Sequence, residues 1–329
     1  MYAAIYSVKG AANEVLTVTD VNTPSPGPGE VRVRLAYAGV NPTDWKLRSY
    51  GAPVAFEFQV PGQDGAGVID AVGLGVEGSR IGQRVWVYLA AHQRQWGTAA
   101  EYTVLPANLA VPLPANTSLE QGAGLGVPYL TAYYMLIKDG PIDGKTVLVA
   151  GGAGAVGHAT IQLGKAMGAR IMTTVSSEAK ATLARAAGAD VIVNYKDADA
   201  LHQLQHAAPE GVDRIIEVAP GTNMELNLKL LKPHCAIAIY ANEKVEPTLT
   251  VRDLMFANAS LEFYMLYFFP PEQLAAGVEF ISGLLAEGKL VPLPTMHYSL
   301  ENTAAAHDAV EGNAVGKVVI DIAPQLDHN

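Results

Sequence analysis

The stretch VLVAGGAGAVGHA, residues 147–159, places Gly152, Gly154 and Gly157 in G-x-G-x-x-G spacing, with Gly151 ahead of them. A short apolar run precedes these glycines and a helix-spaced run follows from about Ala155. In that setting glycine lets a strand turn sharply and lets the backbone approach a pyrophosphate closely. The helix then aims the free N–H groups of its first turn, at Ala155, Val156 and Gly157, and its positive dipole end at the phosphate. A lone glycine motif is weak; one that follows a strand and opens a helix at the head of repeated strand–helix units is the confirming context.

The second informative stretch is TTVSSEAK, residues 173–180. An NAD site places Asp or Glu near the end of this second strand to accept from the ribose 2′-hydroxyl. Here the strand ends at Val175 and continues as Ser176 and Ser177. Two hydroxyls and the Lys180 ammonium are available to a 2′-phosphate, and Lys is suited to phosphate as a point charge. Tyr195, ending the third strand, is a further candidate for the same spot. Other uses of these residues stand beside this one: Ser177 as a helix N-cap, Lys180 as a solvated helix residue, and Glu178 as the ribose acceptor. The missing strand-end acid favours NADPH over NADH as the cofactor.

The elements that must position these residues follow from the rhythm of the chain. From residue 145, short apolar segments at 146–150, 170–175, 190–195, 213–219, 235–240 and 261–267 alternate with helical patterns. Such segments predict a parallel sheet covered on both faces, hence an α/β, Rossmann-type, doubly wound six-stranded sheet. Gly168 and Gly188 sit where helices end. Residues 1–121 read as β-rich, with strands at 31–39, 68–73 and 84–90 and no long helical periodicity before about 119, which fits a barrel or partial barrel. An amphipathic helix follows the prolines after 268, and 316–323 reads as a strand, so the C-terminus is expected to return to the first domain. The expected domains are therefore 1–121 with 268–329, and 122–267.

Composition narrows the function classes. The chain has 329 residues, half of them hydrophobic and 16% charged, with a net charge of −10. An acidic chain with no long basic run is a poor nucleic-acid binder. The one cysteine, Cys235, excludes an intramolecular disulfide and a multi-cysteine zinc site; within HCAIAIY it reads as a buried small hydrophobe. No secretory leader and no membrane span are expected, which makes a cytoplasmic setting the default.

Several segments together carry a resemblance: AGVNPTDWKLRS (38–49), PGQDGAGVIDAVG (61–73), GTAAEYTV (97–104), GAGLGVPYLTAYYMLI (122–137), VLVAGGAGAVGHATIQLGKAMGA (147–169) and AHDAVEGNAVGKVVI (306–320). Over essentially its whole length the chain resembles the zinc-independent quinone oxidoreductases, the zeta-crystallin-like branch of the medium-chain dehydrogenase/reductase superfamily. The resemblance implies a β-rich GroES-like barrel domain wrapped around the Rossmann domain, a cleft between them, and a homodimer. Members matching Lys180 and Tyr195 prefer NADPH. Zinc-dependent members carry Cys at the place of Asn41 and a His-Glu pair at Gln63-Asp64; with an amide at the first two positions and no cysteine-rich lobe, no metal is expected.

Without zinc as a Lewis acid, a conjugated acceptor is the easier substrate, because a quinone or enone spreads incoming charge over its own π system. The expected activity is NADPH-dependent reduction of such a small molecule. A reductase restricted to alkenals or enones, and a non-catalytic NADPH-binding protein, are the alternatives. By resemblance, Asn41 and Thr131, the latter in a PYLTAY turn, line the nicotinamide end. Tyr129 and Tyr264, the latter on the sixth strand, are wall residues, and Ala241-Asn242 form a turn near the cofactor. Lys317 either reaches the cofactor or merely precedes the last strand as a solvated charge. Close relatives carry tyrosines at the places of Lys46 and Ala52; Lys46 or Tyr50 is the candidate replacement donor, against a reading in which Lys46 is solvated. His234-Cys235 replace a glycine pair of the relatives, without a functional account.

Overall fold

The computed structural model describes residues 1–243 and 245–328. The chain divides into two compact units, Met1–Val127 with Val278–Asn329, and Pro128–Gly277.

The first unit opens with β1 (Tyr2–Ile5), α1 (Ala12–Val15) and β2 (Thr17–Asp20), β1 and β2 pairing antiparallel. Then come β3 (Glu30–Gly39), α2 (Pro42–Tyr50), β4 (Asp64–Val72), β5 (Arg84–Val87), β6 (Tyr102–Pro106), β7 (Ala110–Pro112) and α3 (Leu119–Gly122). In β3 the alternation predicted from VRVRL is realised: Val31, Val33 and Leu35 are fully buried, while Arg32 and Arg34 point away from that core. Burial of each such side chain contributes about 1.5–3 kcal/mol. Helix α2 lies within the segment that shows no long helical periodicity. Its buried face consists of Asp44 and Arg48 rather than apolar residues, so the hydrophobic period that announces a helix is absent.

The second unit begins within α4 (Gly126–Ile137) and continues as β8 (Thr146–Val149), α5 (Ala155–Ala166), β9 (Arg170–Val175), α6 (Glu178–Ala186), β10 (Val191–Asn194), α7 (Ala200–Ala207), β11 (Val212–Glu217), α8 (Pro220–Leu228), β12 (Leu231–Ile239), α9 (Val251–Ala257) and β13 (Ser260–Phe263). The six strands form one parallel sheet in the order β10-β9-β8-β11-β12-β13, reversing direction of growth between β8 and β11. That order is the doubly wound sheet expected, with the glycine motif at the carboxyl end of β8, next to the switch point. Gly168 and Gly188 adopt φ of 85° and 98° after α5 and α6, the left-handed conformation of helix-ending glycines. Two placements differ from expectation. Thr131 lies inside α4 rather than in a turn, and Tyr264 lies one residue past β13, because the sixth strand ends at Phe263.

The chain then runs through α10 (Pro271–Ala286), whose last part belongs to the first unit, and on to β14 (Thr295–Ser299), α11 (Thr303–Glu311) and β15 (Lys317–Asp321). β15 pairs antiparallel with β3, Val319 opposite Gly39, and parallel with β14. The first unit thus holds a seven-stranded sheet ordered β14-β15-β3-β4-β5-β7, with β6 also on β3.

Arg214, on β11, is buried and donates to the carbonyls of Met135 at 2.9 Å and Leu136, and to Asp139 at 3.0 Å. It satisfies carbonyls at the C-terminal end of α4 that have no partner within the helix. Arg214→Leu is expected to lower the stability of the second unit by about 2–4 kcal/mol, since it strips buried carbonyls of their donor. Urea unfolding followed by circular dichroism checks this; an unchanged midpoint would show that the cap contributes nothing.

Candidate functional site

In the second unit the chain turns from β8 into α5 through Gly151, at φ 71°, in the left-handed region. The amide of Gly152 donates to Thr174 O at 3.1 Å and that of Gly154 to Gly151 O at 2.9 Å. A Cβ on Gly157 would lie 2.3 Å from Gly151 O, so only glycine allows the helix to pack this closely on the turn. Gly154 is the N-cap of α5 and offers no side chain to it. The N–H groups of the first turn, at Ala155, Val156 and Gly157, therefore lack the usual side-chain cap, beside an exposed Gly154. A backbone with open N–H groups and no crowding Cβ fits a pyrophosphate.

At the carboxyl end of β9, Val175 is buried, Ser176 is half-buried and Ser177 is exposed. Ser177 Oγ accepts from Lys180 N at 3.4 Å and so caps α6. A hydroxyl that accepts in this way keeps its own hydrogen to donate. Glu178, the nearest carboxylate in sequence, lies 3.4 Å from Arg185 along α6, both side chains exposed. Lys180 is half-buried on the first turn of α6, and Tyr195, 51% exposed, follows β10 with its amide on Val175 O at 3.0 Å. Ser177 and Tyr195 are thereby attached to the end of the same strand.

Two carboxylates that sequence reasoning did not single out shape the neighbouring loops. Glu217, fully buried at the end of β11, accepts from Ala219 N at 2.6 Å, Asn223 Nδ2 at 2.9 Å and Asn227 Nδ2 at 2.6 Å. Glu243 accepts from Thr222 N at 2.6 Å and Thr222 Oγ at 2.9 Å. It ties the loop carrying Ala241 and the exposed Asn242 to the start of α8. Thr131 and Tyr129 are both buried on α4; Tyr129 Oη accepts from Gln162 at 3.1 Å, and burial pushes its phenol up to about 12. Tyr264 donates to Glu262. Cys235 is buried, with its thiol pushed up to about 12 by burial, which keeps it an unreactive thiol.

In the first unit the candidate residues converge on a buried polar cluster. Asn41 is the N-cap of α2: its amide nitrogen in the backbone donates to Asp44 at 2.8 Å, and Asp44 N donates back to Asn41 O at 3.0 Å. The side chain of Asn41 donates through Nδ2 to Asp64 at 2.7 Å and accepts through Oδ1 from Lys317 Nζ, also at 2.7 Å. Lys317 Nζ donates further to Val40 O at 3.1 Å. Asp64 takes the amide of Val127, in the first turn of α4, at 2.9 Å on both oxygens. Asn41, Asp64 and Lys317 are 1%, 0% and 6% exposed. Lys317 is thus not a solvated charge before a strand but an ammonium beneath Asn41. Burial pushes Asp64 up to about 6 against the pull of Lys317, pushes Asp44 up as well, and pushes Lys317 down.

The N-P-x-D spacing at 41–44 is a capping-box signal that could have revealed both α2 and Asp44. No sequence pattern joins Asp64 to Lys317. Lys46 lies half-buried along α2 with its Nζ 5.8 Å from the Trp45 ring, and burial lowers its ammonium. Tyr50, 63% exposed, meets the edge of Trp45 with ring centres 6.0 Å apart. Among the described residues no group of three or more His, Cys, Asp or Glu is placed to hold a metal ion, and no helix is long and apolar enough to cross a membrane.

Known proteins carry the same organisation. Residues 27–115 match the alcohol dehydrogenase GroES-like domain, and residues 155–283 match the zinc-binding dehydrogenase family. The quinone oxidoreductase of Rattus norvegicus is 31% identical over 317 residues, 93% of this chain and 94% of that protein. Among solved structures, the Escherichia coli quinone oxidoreductase complexed with NADPH superposes with a TM-score of 0.85 at 25% identity, over 98% of this chain and all of the other. An NAD-dependent alcohol dehydrogenase superposes with a TM-score of 0.87 at 32% identity, over 98% and 99%. A glycine turn without crowding side chains, a GroES-like unit and an amide where zinc enzymes carry cysteine thus occur together in an oxidoreductase, and the chain belongs to the zeta-crystallin-like quinone oxidoreductases of the medium-chain dehydrogenase/reductase superfamily.

Proposed function

We propose that the chain is an NADPH-dependent, zinc-independent reductase that passes hydride to a quinone or another conjugated carbonyl compound. The observation that carries the cofactor choice is the end of β9. It offers the Ser176 and Ser177 hydroxyls and Lys180, while Glu178 lies along α6 by Arg185. A 2′-phosphate there meets donors and a cation; a ribose 2′-hydroxyl finds no strand-end carboxylate. Relatives alone do not decide this, since one similar structure is described with NADPH and another as NAD-dependent.

The cofactor, when bound, supplies the hydride. The residues of this chain would hold it: the α5 N-terminus and its glycines at the pyrophosphate, Ser176, Ser177, Lys180 and Tyr195 at the 2′-phosphate, Ala241 and Asn242 along its length. Asn41 and Thr131 are the proposed nicotinamide-end residues. With amides at 41 and 63, where zinc enzymes carry Cys and His, the charge arriving on the acceptor is left to the acceptor's own conjugation and to hydrogen-bond donors. Lys46 and Tyr50 are the proposed donors; burial makes the Lys46 ammonium a stronger acid than a solvated one.

The test pairs binding with turnover. Lys180→Glu is expected to weaken NADPH binding about tenfold or more, the loss of a charge-assisted contact, while leaving NADH binding nearly unchanged. Nicotinamide fluorescence titration reads both. Wild-type protein that binds NADH as tightly as NADPH would sink the cofactor assignment. With NADPH bound, oxidation by 1,4-benzoquinone or 9,10-phenanthrenequinone supports the quinone reading. Turnover confined to simple enones would make it an enone reductase, and binding without turnover would leave a binding protein.

The assembly we propose is a homodimer joined along β13. β13 is an end strand of the six-stranded sheet, and an open strand edge is a template for another chain. Phe263, Met265 and Phe268 beside that edge, with Met255 and Phe256 on α9, are exposed large apolar residues. Light scattering on a sizing column is expected to give twice the 34.7 kDa chain mass. Phe263→Glu with Phe268→Glu should give the monomer; a monomeric wild type would refute the interface.

A further inference from the structure

Lys317 is the one cation bonded within the buried cluster of Asn41, Asp44 and Asp64 among the described residues, and the proposed mechanism assigns it no contact with cofactor or acceptor. We propose that Lys317 is a positioning residue that, together with Asp64, locks the side-chain amide of Asn41 in one orientation; this rests on the reading that Asn41 lies at the nicotinamide end.

The bonding pattern is directional. An Asn amide has two N–H hydrogens and one carbonyl oxygen. The Lys317 ammonium can only donate, so it must face Oδ1, which it does at 2.7 Å. The Asp64 carboxylate can only accept, so it must face Nδ2, also at 2.7 Å. Turning the amide over would set ammonium against NH2 and carboxylate against C=O, both repulsive in a site closed to water. One Nδ2 hydrogen goes to Asp64, and the second is the only donor the amide has left to present in a defined direction. Neither clamp can drift. Lys317 Nζ is also tied to Val40 O at 3.1 Å, and its stem passes Gly39 and Gly124, where an added Cβ would lie 3.1 Å and 3.6 Å from the lysine chain. Asp64 is held by Val127 N at 2.9 Å.

The arrangement also bears on how Asp64 and Asp44 are kept buried side by side with Lys317. Two carboxylates and one ammonium share the cluster, and burial raises both carboxyls while lowering the ammonium. Glycine at 39 and 124 gives the lysine its channel, which is a spatial use of glycine that no local motif announces.

If Lys317 acts through Asn41, the two residues must be energetically coupled in turnover. The experiment is a cycle of Asn41→Ala, Lys317→Met and the double variant, with kcat and KM for 9,10-phenanthrenequinone and the NADPH dissociation constant by fluorescence. The expected result is a loss of about 10- to 100-fold in kcat for each single variant, as for a misplaced reacting geometry, with NADPH affinity within about twofold of wild type, as expected of a residue that orients rather than binds. The double variant is expected to be no worse than the poorer single one. Losses that multiply in the double variant, or a Lys317→Met enzyme with wild-type kcat, overturn the proposal while leaving the reductase reading intact. Wild-type protein that binds NADPH but reduces no acceptor removes that reading, and this proposal with it. Should Lys317→Met fail to fold, the same cycle is run in Asp64→Asn, which removes one of the two buried carboxylates left without a cation, and the same two outcomes apply.

Discussion

The first unit depends on a carboxylate that water cannot reach. Asp64 sits at the start of β4 and receives the side chain of Asn41 from the head of α2 and the amide of Val127 from the head of α4, while Lys317 from β15 balances its charge through the shared Asn41. Leaving a carboxylate unpaired in such a place would cost several kcal/mol. The three segments that meet it, and β4 that carries it, are therefore held to positions that keep it bonded. A helix start, a strand start and the last strand of the chain, far apart in sequence, share one electrostatic solution. The fully buried apolar residues of β3, β4 and β5 supply the bulk of the stabilisation, and the buried polar cluster supplies the register of what surrounds it.

The second unit solves a different problem with backbone alone. A parallel sheet sends every strand's carbonyl end in one direction, and the helix that follows returns with its N–H groups facing that same edge. Gly151 turns the chain in a conformation that L side chains rarely adopt, and Gly157 lets α5 close on the turn. The absence of a side-chain cap at Gly154 leaves the helix start with unpaired donors and a positive dipole end, which is a liability unless an anion is bound. Around it, Glu217 and Glu243 act as internal anchors that spend their charge on N–H donors of α8 and the residues before it. Glu217 and Glu243 are thus committed to the fold, while the end of β9 carries two hydroxyls, Lys180 and the exposed Glu178.

The two units consequently differ in how far their candidate residues were legible. The glycine turn, the helix after it, the six-strand rhythm and the serine pair at 176–177 are contiguous in sequence, and their chemistry is that of the backbone or of adjacent residues. Local spacing is enough to place them, and the sheet order follows from the alternation of elements. The capping role of Ser177 was equally open to reading, because it is a bond between residues three apart. Helix α2 escaped, although its N-P-x-D start is a local signal, because its buried face is Asp44 and Arg48 and the apolar period is missing. Thr131 is expected by resemblance in a PYLTAY turn, whereas 126–137 form α4 with Pro128 in its first turn, where proline costs no helical hydrogen bond.

By itself the sequence determined what lies within reach of a few residues: the phosphate turn, the missing acid at the end of β9, the alternating strands and the absence of cysteine where zinc enzymes carry one. Tertiary structure alone decided the partners of Asp64 and Lys317, which are separated by most of the chain and brought together through Asn41. Lys317 could be read from sequence as solvated or as a cofactor ligand, and the fold buries it against Asn41 rather than leaving it solvated. The physical reason is that a backbone turn is governed by the φ and ψ of its own residues, whereas the state of a buried charge is governed by whatever else the fold carries into the same dry volume.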